Sequence, residues 1–182
     1  SGMFEWNREY ATARDLMGEL FDAITAYKAT LVDVSFGACS EAGIVGCLTG
    51  LELAAYDFRQ WNDDAEEEVE IPGLVLSLAG NPDFPEVLVT QAVAQGRAIN
   101  VARHLVNLPA GNLDPESYAG LVRQLFADSD SVTIDIWDQQ RLADEKMRLI
   151  LAVGKAAVKA PCLIHLHHQG RGAAGRSVAF VG

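Results

Sequence analysis

A hard stop between two helical patterns lies in residues 91–115, QAVAQGRAINVARHLVNLPAGNLDP. Before the stop, Ala94, Ala98, Val101, Ala102, Leu105 and Val106 recur at three- and four-residue spacing and lay an apolar stripe along one helix face, while Arg97, Asn100, Arg103 and His104 fall elsewhere. Small residues on that stripe predict close approach to a neighbour. The stop itself is Asn107-Leu108-Pro109: Pro109 disfavours helical geometry at Leu108 and has no N–H for the next hydrogen bond. Asp114-Pro115-Glu116 then opens another helix, with an acceptor at the cap, proline at the first position and an acid in the first turn. A first helix unbroken over residues 85–106 would be roughly 33 Å long, enough to reach from one domain to the next.

Upstream, residues 4–28 are helical in pattern, with Tyr10, Ala13, Leu16, Met17, Leu20, Phe21 and Ile24 on one stripe that predicts a surface helix covering a sheet. Residues 30–36, TLVDVSF, are β-branched with Asp33 and Ser35 interleaved, as in a strand with one buried face. Ser40 caps a helix running to about residue 61 through Ile44, Val45, Leu48, Leu51, Leu53, Ala54 and Phe58. Gly43, Gly46 and Gly50 flatten one edge of it, read as tight packing against a strand, with close backbone approach to a ligand as the functional alternative.

Residues 74–79 form a strand pattern closed by Gly80-Asn81-Pro82, and Asp83 starts the long helix. Beyond Pro115 the helix extends to about residue 127, followed by the alternating strand VTIDIW at 132–137 and a short helix capped by Asp138 through Leu142 and Ala143. Runs at 149–153, 162–167 and 177–181 are near-continuously apolar, which predicts strands covered on both faces. The fold class is therefore α/β, with helices packed on a mixed or mostly parallel sheet.

A net charge of -11 argues against a nucleic-acid backbone or an anionic membrane as the main partner. Cys39, Cys47 and Cys162 have no paired spacing, which argues against a disulfide framework or zinc knuckle and favours a reducing compartment. No apolar run reaches membrane length, and no basic-then-apolar signal layout opens the chain.

Three patterns invite a chemical reading. His165 and His167 share one face of a strand, with His168 beside them, and would chelate zinc if a third ligand arrived; no HExxH, CxxC or spaced carboxylate accompanies them, so a solvated strand end is the plainer reading. The acidic run at 62–70, NDDAEEEVE in its wider context, reads as a solvated loop rather than a metal site. Residues 170–175 satisfy GxGxxG, but the fingerprint needs a helix N-terminus directly after it and SVAFVG reads as a strand, so the glycines form a turn. No P-loop, GxSxG elbow or cysteine with a base is present.

GRAINVARHLVNLPAGNLDPESYAGL resembles the segment that joins the N-terminal and catalytic domains in the leucyl aminopeptidase (cytosol aminopeptidase) family. GLELAAYDFRQW is similar to the family's helix ending in a YRFDRY-like sequence, and VTIDIWDQQRLADEKMRLILAVGKAAVKAPCLIHLHHQG resembles the segment V.V.D...L...GMG.LLAVG.GS..PPRLIVL.Y.G.. SVAFVG is similar to the strand that leads into VGKG.TFDTGG. His104 departs from a usual aspartate, Arg148 from a glycine, and Ala156-Ala157 from Gly-Ser, as in a divergent member.

The resemblance implies a fragment of a two-domain metallo-aminopeptidase: residues 1–83 a remnant of the N-terminal, macro-like domain, 84–114 the linking helix and turn, and 115–182 the first part of the catalytic domain. It implies two divalent metal ions, zinc or manganese, and peptide substrates for the parent, a hexameric assembly and a cytoplasmic location. It also implies that the chain stops before the metal-binding motifs, so no catalytic, cofactor-binding or metal-ligating residue is assigned here. A non-enzymatic α/β module binding a nucleotide derivative such as ADP-ribose is the alternative, and a dinucleotide enzyme using 170–175 is a further one.

Overall fold

EAGIVGCLTGLELA carries so few polar side chains that a helix made from it must be buried all round. In the computed structural model, which describes residues 2–28, 30–37, 39–56, 73–78, 85–170 and 177–182, it is the second of six helices among the described residues. The elements run α1 (Gly2–Ala26), β1 (Leu31–Phe36), α2 (Glu41–Ala54), β2 (Gly73–Leu78), α3 (Glu86–Asn107), α4 (Pro115–Leu125), β3 (Val132–Trp137), α5 (Gln139–Asp144), α6 (Arg148–Gly154) and β4 (Leu163–His168). The chain divides into two units, Ser1–Asn107 and Leu108–Gly182. The fold class is α/β, built on small two-stranded sheets: β1 pairs with β2 in parallel, and β3 with β4 antiparallel.

In the first unit α2 is the element the others cover. Met17 and Phe21 from α1, Phe36 from β1, Ile44, Val45, Leu48 and Leu51 from α2, and Leu88 and Ala92 from α3 form one buried cluster. Ser40 caps α2, its hydroxyl accepting from the Gly43 N–H at 3.1 Å while donating to Glu9. The flat glycine edge packs against a helix, not the strand expected from the sequence. A Cβ on Gly46 would overlap the Tyr10 carbonyl oxygen and one on Gly50 that of Arg14, so α1 and α2 meet backbone to backbone. Leu16 and Leu20, on the flank of the α1 stripe, stay exposed at 60% and 44%.

On α3 the inward face differs from the one the apolar count picks out. Leu88, Ala92 and Gly96 are buried and Ile99 and Asn100 half-buried; of the expected stripe Val101 and Leu105 are half-buried too, whereas Ala94, Ala98, Ala102 and Val106 face outward. The reason is the end of α2, which stops at Ala54 rather than near residue 61. Its last carbonyls need donors. Asn100 Nδ2 gives one to the Glu52 oxygen and Arg103 Nη1 one to the Leu53 oxygen, both at 2.8 Å, and the Arg103 guanidinium lies 4.5 Å from the centre of the Tyr56 ring. Only the stretch of α3 beside the end of α2 is polar, because capping requires it. Phe58, the acidic run at 62–70, Gly80-Asn81-Pro82 and Asp83 lie outside the described residues.

In the second unit the predicted caps hold. Asp114 accepts from Ser117 N–H and Ser117 Oγ accepts from Asp114 N–H, both at 2.8 Å, a reciprocal capping box with Pro115 at the first turn. Asp138 caps α5 through the Arg141 N–H.

Residues 149–153 are helical in α6, not the strand expected. Lys146 adopts a positive φ of 59°, and the bonds from Lys146 N to Ala143 O and from Met147 N to Leu142 O close α5 as a Schellman turn. That turn feeds the chain straight into α6, whose apolar run is too short for its periodicity to separate helix from strand. Residues 177–182 join no ladder, with Val178, Phe180 and Val181 at least 77% exposed, so the third expected strand is absent among the described residues. Nor is β4 covered on both faces: His165, Leu166, His167 and His168 are exposed.

Alanine at Gly46 is expected to cost about 1–3 kcal/mol by overpacking, whereas Gly18→Ala, with open space around the new Cβ, should be neutral or add up to about 1 kcal/mol through helix propensity. Urea midpoints of the two variants check this, and equal midpoints would mean the α1–α2 contact has room to spare.

Candidate functional site

Strand alternation puts His165 and His167 on one side of β4, and both are exposed. The register sets His165 opposite Asp135 and His167 opposite Thr133. Among the described residues no group of three or more His, Cys, Asp or Glu side chains stands close enough to hold a metal. The pair therefore gains no third ligand there. Residues 171–175 of the glycine fingerprint and the acidic run at 62–70 lie outside the described residues. The described residues after the fingerprint, 177–182, form no helix, so they offer no N-terminus to a pyrophosphate.

A polar constellation not evident from sequence spacing joins β3 to α5. Period-two alternation brings Asp135 and Trp137 to the same face of β3, and the Asp138 cap starts α5 so that Arg141 reaches back to them. Trp137 Nε1 donates to one Asp135 carboxylate oxygen at 2.8 Å and Arg141 Nη1 to the other at 2.7 Å, with the guanidinium 4.4 Å from the Trp137 ring centre. The indole hydrogen bond, then the Arg141 hydrogen bond and charge, with His165 opposite, hold the Asp135 carboxyl below the usual carboxylate range. A carboxylate kept ionised with both oxygens taken is a weak proton acceptor. Its work is to clasp β3 to α5. The legible signal was Asp-x-Trp followed by an arginine on a capped helix.

A second cluster gathers at the start of α4. Lys159 Nζ lies 2.9 Å from Glu116 and 3.7 Å from Asp114, and the Cys162 thiol donates to the Pro115 carbonyl at 3.4 Å. Glu116 foremost, then Asp114, raises the Lys159 ammonium, while the Ser117 N–H foremost lowers Asp114. The groove of about 670 Å³ beside α5 and α6 is lined by Gln139, Gln140, Leu151, Lys155, Val158 and Pro161 among others. That lining pairs no nucleophile with a base. His104 is half-buried in α3, Arg148 opens α6, and Ala156 and Ala157 follow α6 in the open.

Residues 100–182 match the model of the cytosol aminopeptidase family, catalytic domain. A probable cytosol aminopeptidase of Corynebacterium efficiens is 35% identical over 146 residues, which is 78% of this chain and 28% of that protein. Among solved structures, a tomato leucine aminopeptidase mutant aligns with a TM-score of 0.77 at 20% identity, over 89% of this chain and 34% of that one. The bottromycin maturation enzyme BotP in complex with Mn aligns with a TM-score of 0.69 at 20% identity, over 86% of this chain and 33% of that one. These structural likenesses concern the fold. The chain spans about a third of the length of the curated relatives it matches. Among the described residues no helix is long and apolar enough to cross a membrane.

Because the folded Asp135 carboxyl titrates below its ordinary value of roughly 3.9, the clasp stabilises the fold fully above that value and loses its contribution as pH falls through the folded pKa. Asp135→Asn should therefore melt lower than the parent near neutral pH, with the gap closing at acid pH. Thermal melts across pH test it, and a gap independent of pH would assign the loss to something other than the charge.

Proposed function

The chain belongs to the leucyl (cytosol) aminopeptidase family, and from that premise we propose that it is a non-catalytic portion of a metal-dependent, leucyl aminopeptidase-like hydrolase that removes N-terminal residues from peptides. Residues 1–83 correspond in this reading to the tail of the N-terminal domain, 84–114 to the linking helix and turn, and 115–182 to the first part of the catalytic domain. One observation carries the reading: the match to the family's catalytic domain, residues 100–182, takes in the whole of the second unit, Leu108–Gly182.

For the full-length parent the proposal includes two divalent metal ions, zinc or manganese, and the manganese bound to BotP supports metal use. Such metals would activate a water and polarise the scissile carbonyl. The described residues do not fit that site, since no group of three metal-competent side chains gathers among them, so no catalytic step is assigned to a residue here. The proposal places the parent in the cytoplasm as a homo-oligomer, a hexamer by the family's habit. The acidic surface of this portion, with a net charge of -11, accords with peptides rather than nucleic acid as its counterpart.

Purified 182-residue chain supplied with manganese or zinc is expected to leave leucine p-nitroanilide intact, read as absorbance of the released nitroaniline. Metal-dependent turnover removed by a chelator would overturn the non-catalytic assignment. Calorimetry with ADP-ribose separates the other class, because saturable micromolar binding would favour a nucleotide-derivative module.

A further inference from the structure

Two imidazoles stand side by side on an open face of β4. Alternation sends the side chains of His165 and His167 to the same side of the strand and that of His168 to the other, and all three residues are exposed. The antiparallel register continues the His165 and His167 face onto β3, where Asp135 stands opposite His165 and Thr133 opposite His167. Trp137 and Leu163 form one end of that face, with the Arg141 guanidinium over the indole ring. The other end is bordered by Thr133, short and exposed, which leaves room above the two histidines.

We propose that His165 and His167 clamp one late first-row divalent ion of tetragonal preference, copper(II) or nickel(II), with water in its remaining positions. Alternate residues of a strand lie roughly 7 Å apart along the chain. Imidazole rings projecting from them can lean together and share an ion at bond lengths of about 2 Å. Two nitrogens leave a structural zinc short, since such zinc takes four protein ligands in a tetrahedron. Copper(II) and nickel(II) instead accept nitrogen and oxygen ligands in a plane, and they stand near the strong-binding end of the divalent series. The third side chain that zinc would need is therefore not needed for these ions.

Charge favours the same occupant. The Asp135 carboxylate, fixed by Trp137 and Arg141, stands opposite His165, and the chain as a whole carries a net charge of -11, which draws cations toward its surface. Asp135 is not counted as a ligand. It contributes a field, offset in part by the Arg141 guanidinium paired with it at 2.7 Å. His168 is equally exposed but leaves the strand on the opposite side, so it cannot join the other two on one ion while β4 keeps its pairing with β3.

The test titrates the whole 182-residue chain with nickel chloride by calorimetry. One saturable site per chain is expected, and His165→Asn and His167→Asn should each weaken it at least several-fold. His168→Asn, which removes an imidazole just as exposed from the other side of β4, should leave the affinity unchanged. Circular dichroism checks that each variant folds. Histidine ring correlation spectra of the unsubstituted chain provide a second readout, in which nickel should broaden the His165 and His167 signals and spare His168. Three results would each overturn the clamp: no saturable heat up to millimolar nickel, saturation that survives the double variant and so belongs to thiols or carboxylates elsewhere, or equal weakening by His168→Asn.

Discussion

Backbone meeting backbone between α1 and α2 is the contact on which the first unit depends. With no side chain at Gly46 and Gly50 to hold the helices apart, the carbonyls of Tyr10 and Arg14 lie directly against α2, and Met17 and Phe21 come within reach of its apolar surface. That closeness matters because α2 lies in the connection between two parallel strands, which cannot be joined by a tight turn. A helix in that position is covered from several sides. α2 meets this demand with a sequence apolar around most of its circumference, and α3 completes the cover through Gly96, whose missing Cβ admits the Glu52 side chain.

The second unit is held by different means. Among its described residues the buried apolar side chains are Ala119, Val122 and Leu142. In their stead come end-of-helix devices and charge-assisted ties: the reciprocal Asp114–Ser117 box, the Asp138 cap, the Schellman turn at Lys146, the Lys159 bridge to Glu116 and the Asp135 clasp. Each is a local interaction whose net worth is modest. Together they set where each short element starts and stops, which a small apolar core does not.

Caps and the alternating strand were legible because they are local. Ser40, Asp114 and Asp138 each announce a helix within a few residues, and VTIDIW shows its period over six. What resisted reading was whatever a distant partner decides. Asn100 and Arg103 reach from α3 to the end of α2 because carbonyls some fifty positions earlier need donors, and no periodicity in α3 encodes that. The run at 149–153 became a helix because Lys146 reversed the chain just before it, and the run at 177–181 found no ladder among the described residues. At the candidate site, the exposed place of the histidines on a strand was legible, while the Asp135 clasp escaped because its three members belong to two elements. The family was legible in the order of its segments, since order survives where single residues have drifted.

Asn100 has a double standing. It is where the similarity to the catalytic domain begins, and it is one of the two side chains that finish α2. The first residue of the matched stretch and the last residue of the first unit therefore lie within the same helix, a few residues apart. Anyone excising the matched segment at its first residue would saw through α3 and strip the preceding unit of its closing donors, whereas a cut after Asn107 leaves that unit whole at the expense of the first turns of the match.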